Sequence, residues 1–598
     1  MTTTEVFFTA LFERADPASE LHLVLSVDSA SEPREHLMRS SAAADNRMHL
    51  TLTLPRRARI SARLCVKSGT ETVHTEAAAR QFVVRGAEFH VNLGLPVGLV
   101  SAFGAFRLVD SVRAGSTHVR FQLGGVAAPE DASCLLNVPA SVDDLPPNAE
   151  LKSAVRLLDA AAVPVSIVVA SDDADEKERR VSLADARFQP VVVPYTTPRP
   201  LARVHLSFQV FAAHNVLLGR AHITGSSLHA GDGFLHAPLI AGDAVVGELV
   251  LFFVVVQSYT ARAGVDAAPR ATVRSIWKTV PCEDVGHRGS GAHNARSSSN
   301  SHTWLDENTI HSFVHAAENE LPFIEFDVQL SSDGVPVIWH DFVIKNEHGH
   351  KLSPYDLTLA QFKQLHVPQI ERAKQAKHHE HDAGLLKRNL ARWAGDTLKD
   401  TLTTLAEIFE RTPEWLGFDV ELKYPNLCEL RDELVAANVS VHSPARNAFV
   451  DAVLDVVFAH AAQRRRIFFS TFDPELALLL HMKQTVYPVL FLTEAGVKQR
   501  AFDVRAATLE GSVRFACQAN LAGLVSRVTP LLANHDLFAL VKRADLLVGT
   551  FGWQNNDLDN VALQERHRVD FVVSDHIATF AARKPEMSRR AKLLAAEL

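Results

Sequence analysis

The chain has few cysteines, and they stand apart. Cys65, Cys134, Cys282, Cys428 and Cys517 are the five in 598 residues, and no two form a CxxC pair. That excludes a disulfide-stapled scaffold or a thiolate zinc ribbon and fits a reducing compartment. Long apolar runs are equally scarce. The longest, Leu249 to Val256, is about half of a membrane-crossing helix and lies between Glu248 and Gln257, so a buried strand is expected there. Extended basic runs are missing too. With 61 Lys and Arg against 69 Asp and Glu the net charge is -8, which argues against nucleic acid as a partner. Arg464-Arg465-Arg466 is the one tight basic triplet and reads as a solvated helix end. The opening residues MTTTEVFFTALFERAD show neither the basic nor the apolar region of a secretory signal, so the expected location is cytoplasmic.

What is present changes rhythm along the chain. Length alone exceeds one hydrophobic core. Residues 1–100 alternate in short runs, such as Leu21 to Val27 and His49 to Leu54, as a small β-sandwich does. Residues 101–275 again read as mainly β and sandwich-like, with strands expected at Val165 to Ala170, Val191 to Pro194, Val204 to Phe211 and Glu248 to Gln257. Acidic residues Asp172, Asp173, Asp175, Glu176 and Glu178 gather on a turn there, either as hard-cation ligands or as a solvated turn beside Lys177, Arg179 and Arg180.

From 280 to 590, strand-like runs alternate with helical patterns at Asn308 to Glu318, Leu402 to Arg411, Ala448 to Ala462 and Glu475 to Met482. Such alternation predicts an α/β fold, a TIM-type (β/α)8 barrel at the C-terminus. Nine strand-like runs are one too many. Phe323 to Leu330 and Val335 to His340 are joined by SSDG alone, too short for a parallel crossover, so one of them must break the repeat. The charged stretch Glu371 to Arg392 reads as an insertion over the barrel mouth, and its HHEHD (His378 to Asp382) as a solvated loop rather than a metal site.

The chemistry is concentrated between Asp284 and Asp341, which reads DVGHRG, DENT, FIEFDVQL and DGVPVIWHD. Glu325 and Asp327 lie two apart in an apolar run, so on a strand both carboxylates leave one face. Anions that close repel unless a cation sits between them. His287 with Arg288, and His340, follow two further apolar runs, at strand ends where α/β barrels keep their reactive groups. Two imidazoles titrating near neutral pH make a natural acid and base pair, and the residues alone leave open which is which.

This series resembles the glycerophosphodiester phosphodiesterase family, whose signature is HRG, ENT, an E-x-D strand, a DG-x-P-V turn and strand, and a terminal HD. The resemblance continues in GFDVELK (Gly417 to Lys423), IFFSTFD (Ile467 to Asp473) and DFVVSDH (Asp570 to His576). WKTVPCEDVGHRGSG (Trp277 to Gly291) and FIEFDVQL look most like the eukaryotic glycerophosphocholine phosphodiesterase branch. The resemblance implies hydrolysis of glycerophosphocholine to glycerol 3-phosphate and choline. It implies Glu325, Asp327 and Glu421 as ligands of one divalent cation, magnesium or calcium, and Arg288 and Lys423 as phosphate contacts. It also implies His287 as base and His340 as acid. Trp553, Phe472 and Tyr424 follow strands where a choline headgroup would meet an aromatic wall. Here the family's W-T-x-N phrase is altered to Thr550-Phe551-Gly552-Trp553.

Three other readings compete. One is the same chemistry on another glycerophosphodiester or a lysophospholipid. Another is a metabolite-sensing scaffold that binds without cleaving, although no catalytic residue of the series is lost. The third is a glycan-targeting module. Residues 1–100 weakly resemble a starch-binding sandwich, yet no Trp precedes Trp277, so the ring-stacking platform is missing.

Overall fold

The computed structural model describes the strands between residues 3 and 123, and residues 155–259, 282–291, 307–365, 402–425, 444–544 and 546–577, apart from short stretches within them. The His378 to Asp382 stretch and most of the acidic turn after Asp172 lie outside these residues. Near the N-terminus, Thr3–Leu11, Arg39–Ser40, Arg47–Pro55 and Glu88–Gly94 form one sheet. Ser19–Val27, Arg34–Leu37, Arg59–Ser68, Glu71–Thr75 and Arg80–Val83 form a second.

Nine strands between Thr117 and Gln257 make one antiparallel sheet. The apolar run Leu249 to Val256 is, as expected, a strand, part of Ala244–Gln257. Thr117–Leu123 and His205–Phe211 are separated by three strands in the sheet order. In a flat sheet that would put them roughly 19 Å apart. Instead the rings of Phe121 and Phe208 meet edge to face at 5.3 Å, so the sheet folds over a single apolar core into two layers. Asp172 is engaged locally: it accepts from Arg199 at 3.4 and 3.3 Å and from the His205 amide at 3.0 Å.

The C-terminal half closes into a barrel. Its parallel strands are β1 (Glu283–Gly286), β2 (Phe323–Leu330), β3 (Gly417–Leu422), β4 (Ile467–Thr471), β5 (Val489–Thr493), β6 (Gly523–Arg527), β7 (Leu547–Phe551) and β8 (Phe571–Ser574). β1 pairs with both β2 and β8, which shuts the ring. The surplus ninth run is Pro336–Ile338, an antiparallel return on the end of β2. A five-residue turn permits that geometry and forbids a parallel one. The helices Ile310–Glu318, Leu405–Arg411, Arg446–His460 and Pro474–Lys483 fall where the apolar spacing predicts.

Every residue of β2 is buried, and alternation sorts them. Ile324, Phe326, Val328 and Leu330 face the helical layer, while Phe323 joins Phe468 and Phe571 inside the barrel. Continuing inward from Phe323, the same face carries Glu325, Asp327 and Gln329. The barrel interior is therefore apolar at one end and acidic at the other.

The basic triplet is a correction. Arg465 and Arg466 are buried, not a solvated helix end. Arg465 donates to the carbonyls of Pro413 and Leu416, both at 2.8 Å, and lies 4.2 Å over the Phe418 ring. Arg466 pairs with buried Glu283 at 2.7 Å. A guanidinium with its donors met by carbonyls and a carboxylate can be buried where a bare cation cannot. Among the described residues, no helix is long and apolar enough to cross a membrane.

Candidate active site

β2 and β3 pair in parallel with Asp327 opposite Glu421 and Glu325 opposite Asp419. That register puts four carboxylates on the inner face of two strands. Ligand oxygens of Glu325, Asp327 and Glu421 all lie within 4.8 Å of one another, and all three residues are buried. Glu325 Oε1 and Asp327 Oδ1 are buried and accept no hydrogen bond. Burial, then the charges of Asp327, Glu421 and Asp419, push the Glu325 carboxyl well above its ordinary range. Burial also works upward on Asp327, but His340, Arg288, Lys423 and the Asn308 amide outweigh it and hold that carboxyl below its usual value. Unpartnered carboxyl oxygens facing one another fit a hard divalent cation, which prefers an all-oxygen shell.

Around this cluster stand the other residues. The His-Arg-Gly turn follows β1 directly. Arg288 adopts φ 49° and Gly289 φ 89°, and a Cβ on Gly289 would sit 2.5 Å from Ser312 Oγ, so only glycine fits the turn. The turn aims the Arg288 amide at Glu325 Oε2, 2.8 Å away. Its guanidinium pairs with Glu307 at 2.6 Å and approaches Asp327 at 3.4 Å, which keeps it fully charged despite burial. Lys423 Nζ lies 3.3 Å from Glu421 Oε1, between the rings of Phe342 (5.5 Å) and Phe472 (5.8 Å).

The two histidines arrive by different routes. His287 lies on the β1 side, its Nε2 3.9 Å from Glu325 Oε2. His340 is carried back to the mouth by the antiparallel return, and the Trp339 amide donates to the Asp327 carbonyl at 3.0 Å. Burial, then the charges of Arg288 and Lys423, hold His340 well below the usual imidazole range. An anion bound between those two cations would offset their effect and raise its proton affinity.

Seven of the eight site residues expected from sequence thus gather around one carboxylate cluster. Trp553 stands apart on the rim, on the short turn Trp553–Asn556 after β7, with 73% of its surface exposed. Tyr424 is packing rather than pocket, since it is buried and donates to the Pro444 carbonyl at 2.7 Å. Phe472 is half-buried against Phe551, at a centroid distance of 5.7 Å.

Three supporting residues lie within the motifs above but are not among the expected site residues. Asp575, just beyond β8, bonds His287 Nδ1 at 2.8 Å and fixes the ring so that Nε2 faces the carboxylates. Asn308 donates to Asp327 at 2.9 Å. Gln329 Nε2 reaches the carbonyls of Trp339, His340 and Asp341 at 2.8, 3.2 and 3.0 Å. The inward period of E-x-D-x-Q signals Gln329, and the ENT phrase holds Asn308. Asp575 lies in DFVVSDH, but nothing local pairs it with His287. Asp575→Asn is expected to lower turnover about 10- to 100-fold, the scale of losing a residue that orients a reactive side chain. Turnover within twofold of wild type would show that His287 needs no such partner.

Residues 287–579 match the model of the glycerophosphoryl diester phosphodiesterase family. A glycerophosphodiester phosphodiesterase of Arabidopsis thaliana is 34% identical over 300 residues, which is 49% of this chain and 75% of that protein. A second, chloroplastic one from the same plant is 32% identical over 313 residues, 51% of this chain and 81% of its own length. A glycerophosphocholine phosphodiesterase of Eremothecium gossypii is 31% identical over 391 residues, 57% of this chain. The chain spans 28% of the length of that fungal relative. The chain belongs to the glycerophosphodiester phosphodiesterase family.

Proposed function

We propose that this chain is a cytoplasmic enzyme that hydrolyses glycerophosphodiesters, with glycerophosphocholine as substrate and glycerol 3-phosphate and choline as products. The observation that carries the reading is the buried cluster of Glu325, Asp327 and Glu421, flanked by two histidines and two cations at one mouth. The fungal relative's name supports the choline headgroup. The scattered cysteines support a reducing location, and Cys282 and Cys517 are buried free thiols.

Arg288 and Lys423 hold the phosphate and neutralise its equatorial oxygens. His287, oriented by Asp575, takes the proton of the attacking hydroxyl, whether from water or from the substrate's own glycerol. The bond from phosphorus to the choline oxygen breaks, and His340 supplies that oxygen with a proton; where the glycerol hydroxyl attacks, water then opens the cyclic phosphate to glycerol 3-phosphate. Glu325, Asp327 and Glu421 would hold magnesium or calcium, which when bound adds positive charge against the phosphoryl oxygens. Trp553 and Phe472 offer π faces to the trimethylammonium group. Residues 1–100 and 101–275 are two further domains, and neither carries a residue of this chemistry.

A panel of glycerophosphocholine, glycerophosphoethanolamine, glycerophosphoinositol and lysophosphatidylcholine, assayed with the full chain, tests the proposal. Glycerophosphocholine is expected to give the highest kcat/KM. Preference for the lysophospholipid would move the substrate class, and no turnover of any member would end the enzymatic reading.

A further inference from the structure

The catalytic candidates all lie beyond Asp284, yet the nine-stranded sheet packs directly against the domain that carries them. Val254 and Val256, on its longest strand, join the apolar cluster formed by the barrel and its helices. Asn447 grips the end of that strand twice. Its Nδ2 donates to the Val255 carbonyl at 2.7 Å, and its Oδ1 accepts from the Gln257 amide at 3.1 Å. Tyr259 donates to Asp455 at 2.9 Å. The seam lies against the helix Arg446–His460, which follows β3, and against Pro474–Lys483, which follows β4.

Its polar centre is Arg446. The guanidinium is half-buried and clamped from two sides. Nε and Nη2 donate to the two oxygens of Asp473 at 3.1 and 2.9 Å, and Nη1 pairs with Asp232 of the sheet. The plane lies 4.3 Å over the Tyr424 ring. Asp473 is already committed, since its Oδ1 also accepts from the Leu476 amide at 2.8 Å and caps the helix after β4. Among the described residues, Asp232 alone serves the third nitrogen. Tyr424 directly follows Lys423, and Asp473 directly follows Phe472, whose ring borders the Lys423 ammonium.

We infer that Asp232 is a positioning residue for the active site: from a separate sheet it fixes Arg446, and through Tyr424 and Asp473 it fixes the strand ends that present Lys423 and Phe472. A guanidinium that loses one of two carboxylates in a half-buried setting turns toward the other or toward water. Either movement disturbs the stack on Tyr424 and the cap at Asp473 together. Two adjacent barrel strands are thereby coupled to one carboxylate outside the barrel.

The inference rests on Lys423 contacting the substrate phosphate, as proposed above, so the test has one arm that needs no turnover. Full-length wild type, Asp232→Asn and Asp232→Glu are compared by amide hydrogen exchange and by steady-state kinetics on glycerophosphocholine at 25 °C. In Asp232→Asn, exchange is expected to quicken at residues 421–425 and 471–476 but not at β6 or β7. KM is expected to rise about two- to thirtyfold, the range of coupling carried between packed elements. A loss in KM rather than kcat marks a phosphate contact made in both ground and transition states. Asp232→Glu, which keeps the charge, should restore both readouts. Unchanged exchange at those strand ends overturns the inference. So does quickened exchange with wild-type KM in an active enzyme, the result a merely structural seam would give. A wild-type chain inert on every diester instead defeats the functional reading, and the exchange arm then decides the positioning role alone.

Discussion

Excess chelator is expected to abolish hydrolysis by the full chain, and magnesium or calcium to restore it. The argument begins with electrostatics inside the barrel. Glu325, Asp327, Asp419 and Glu421 share the inner face of two paired strands, and all are buried. Asp419 is pushed well above the usual carboxyl range by burial, even with Ser470 donating to it at 2.6 Å. Without a cation, Glu325 likewise favours its proton. A divalent ion among Glu325, Asp327 and Glu421 reverses that preference, because ion binding requires the ionised carboxylate. Metal affinity should therefore weaken as pH falls. Asp327→Ala removes an inward oxygen and frees Asn308 and Arg288 from it, and turnover should fall by about three orders of magnitude or more, as expected where a bound ion supplies several kcal/mol of charge stabilisation. Calorimetric titration of magnesium and calcium into wild type and Asp327→Ala provides a second readout. Full turnover in excess chelator, or restoration by a soft metal alone, would remove the all-oxygen site.

His340→Ala is expected to lower turnover of an alkyl diester by about two to four orders of magnitude, the usual scale for a general acid or base. Metal affinity should persist, because neither histidine is among the three carboxylates. Choline leaves as an alkoxide that needs a proton, whereas a nitrophenolate does not. An aryl diester should therefore rescue His340→Ala and leave His287→Ala impaired. Selective rescue of His287→Ala would exchange the two roles. Near wild-type turnover of the alkyl diester by either variant would take that histidine out of the mechanism.

Much of this site was legible before folding because its residues lie on strands whose side chains alternate. Glu325 and Asp327 had to share a face, and so did Glu421 and Lys423, once each run was recognised as a strand. The SSDG turn showed that one strand breaks the parallel repeat, since four residues cannot make a crossover. Composition went wrong at Arg465 and Arg466. A basic triplet is ordinarily solvated, and nothing nearby in sequence announces the carbonyls of Pro413 and Leu416 or the carboxylate of Glu283 that pay for burying it.

Periodicity and spacing, then, determined the alternation of the barrel, its helices and the shared face of Glu325 and Asp327, because those depend on interactions between near neighbours in the chain, while Glu421 came from the family resemblance. Closure of the ring decided the remainder. Asp575 meets His287 only because β8 pairs with β1, across 288 residues. Glu421 joins Glu325 and Asp327 only through the register of β2 on β3. Asp232 reaches Arg446 only where a folded sheet packs against the barrel's helices, across 214 residues. Such pairings carry no local signature, since the free energy that selects them comes from burying whole faces of distant elements at once.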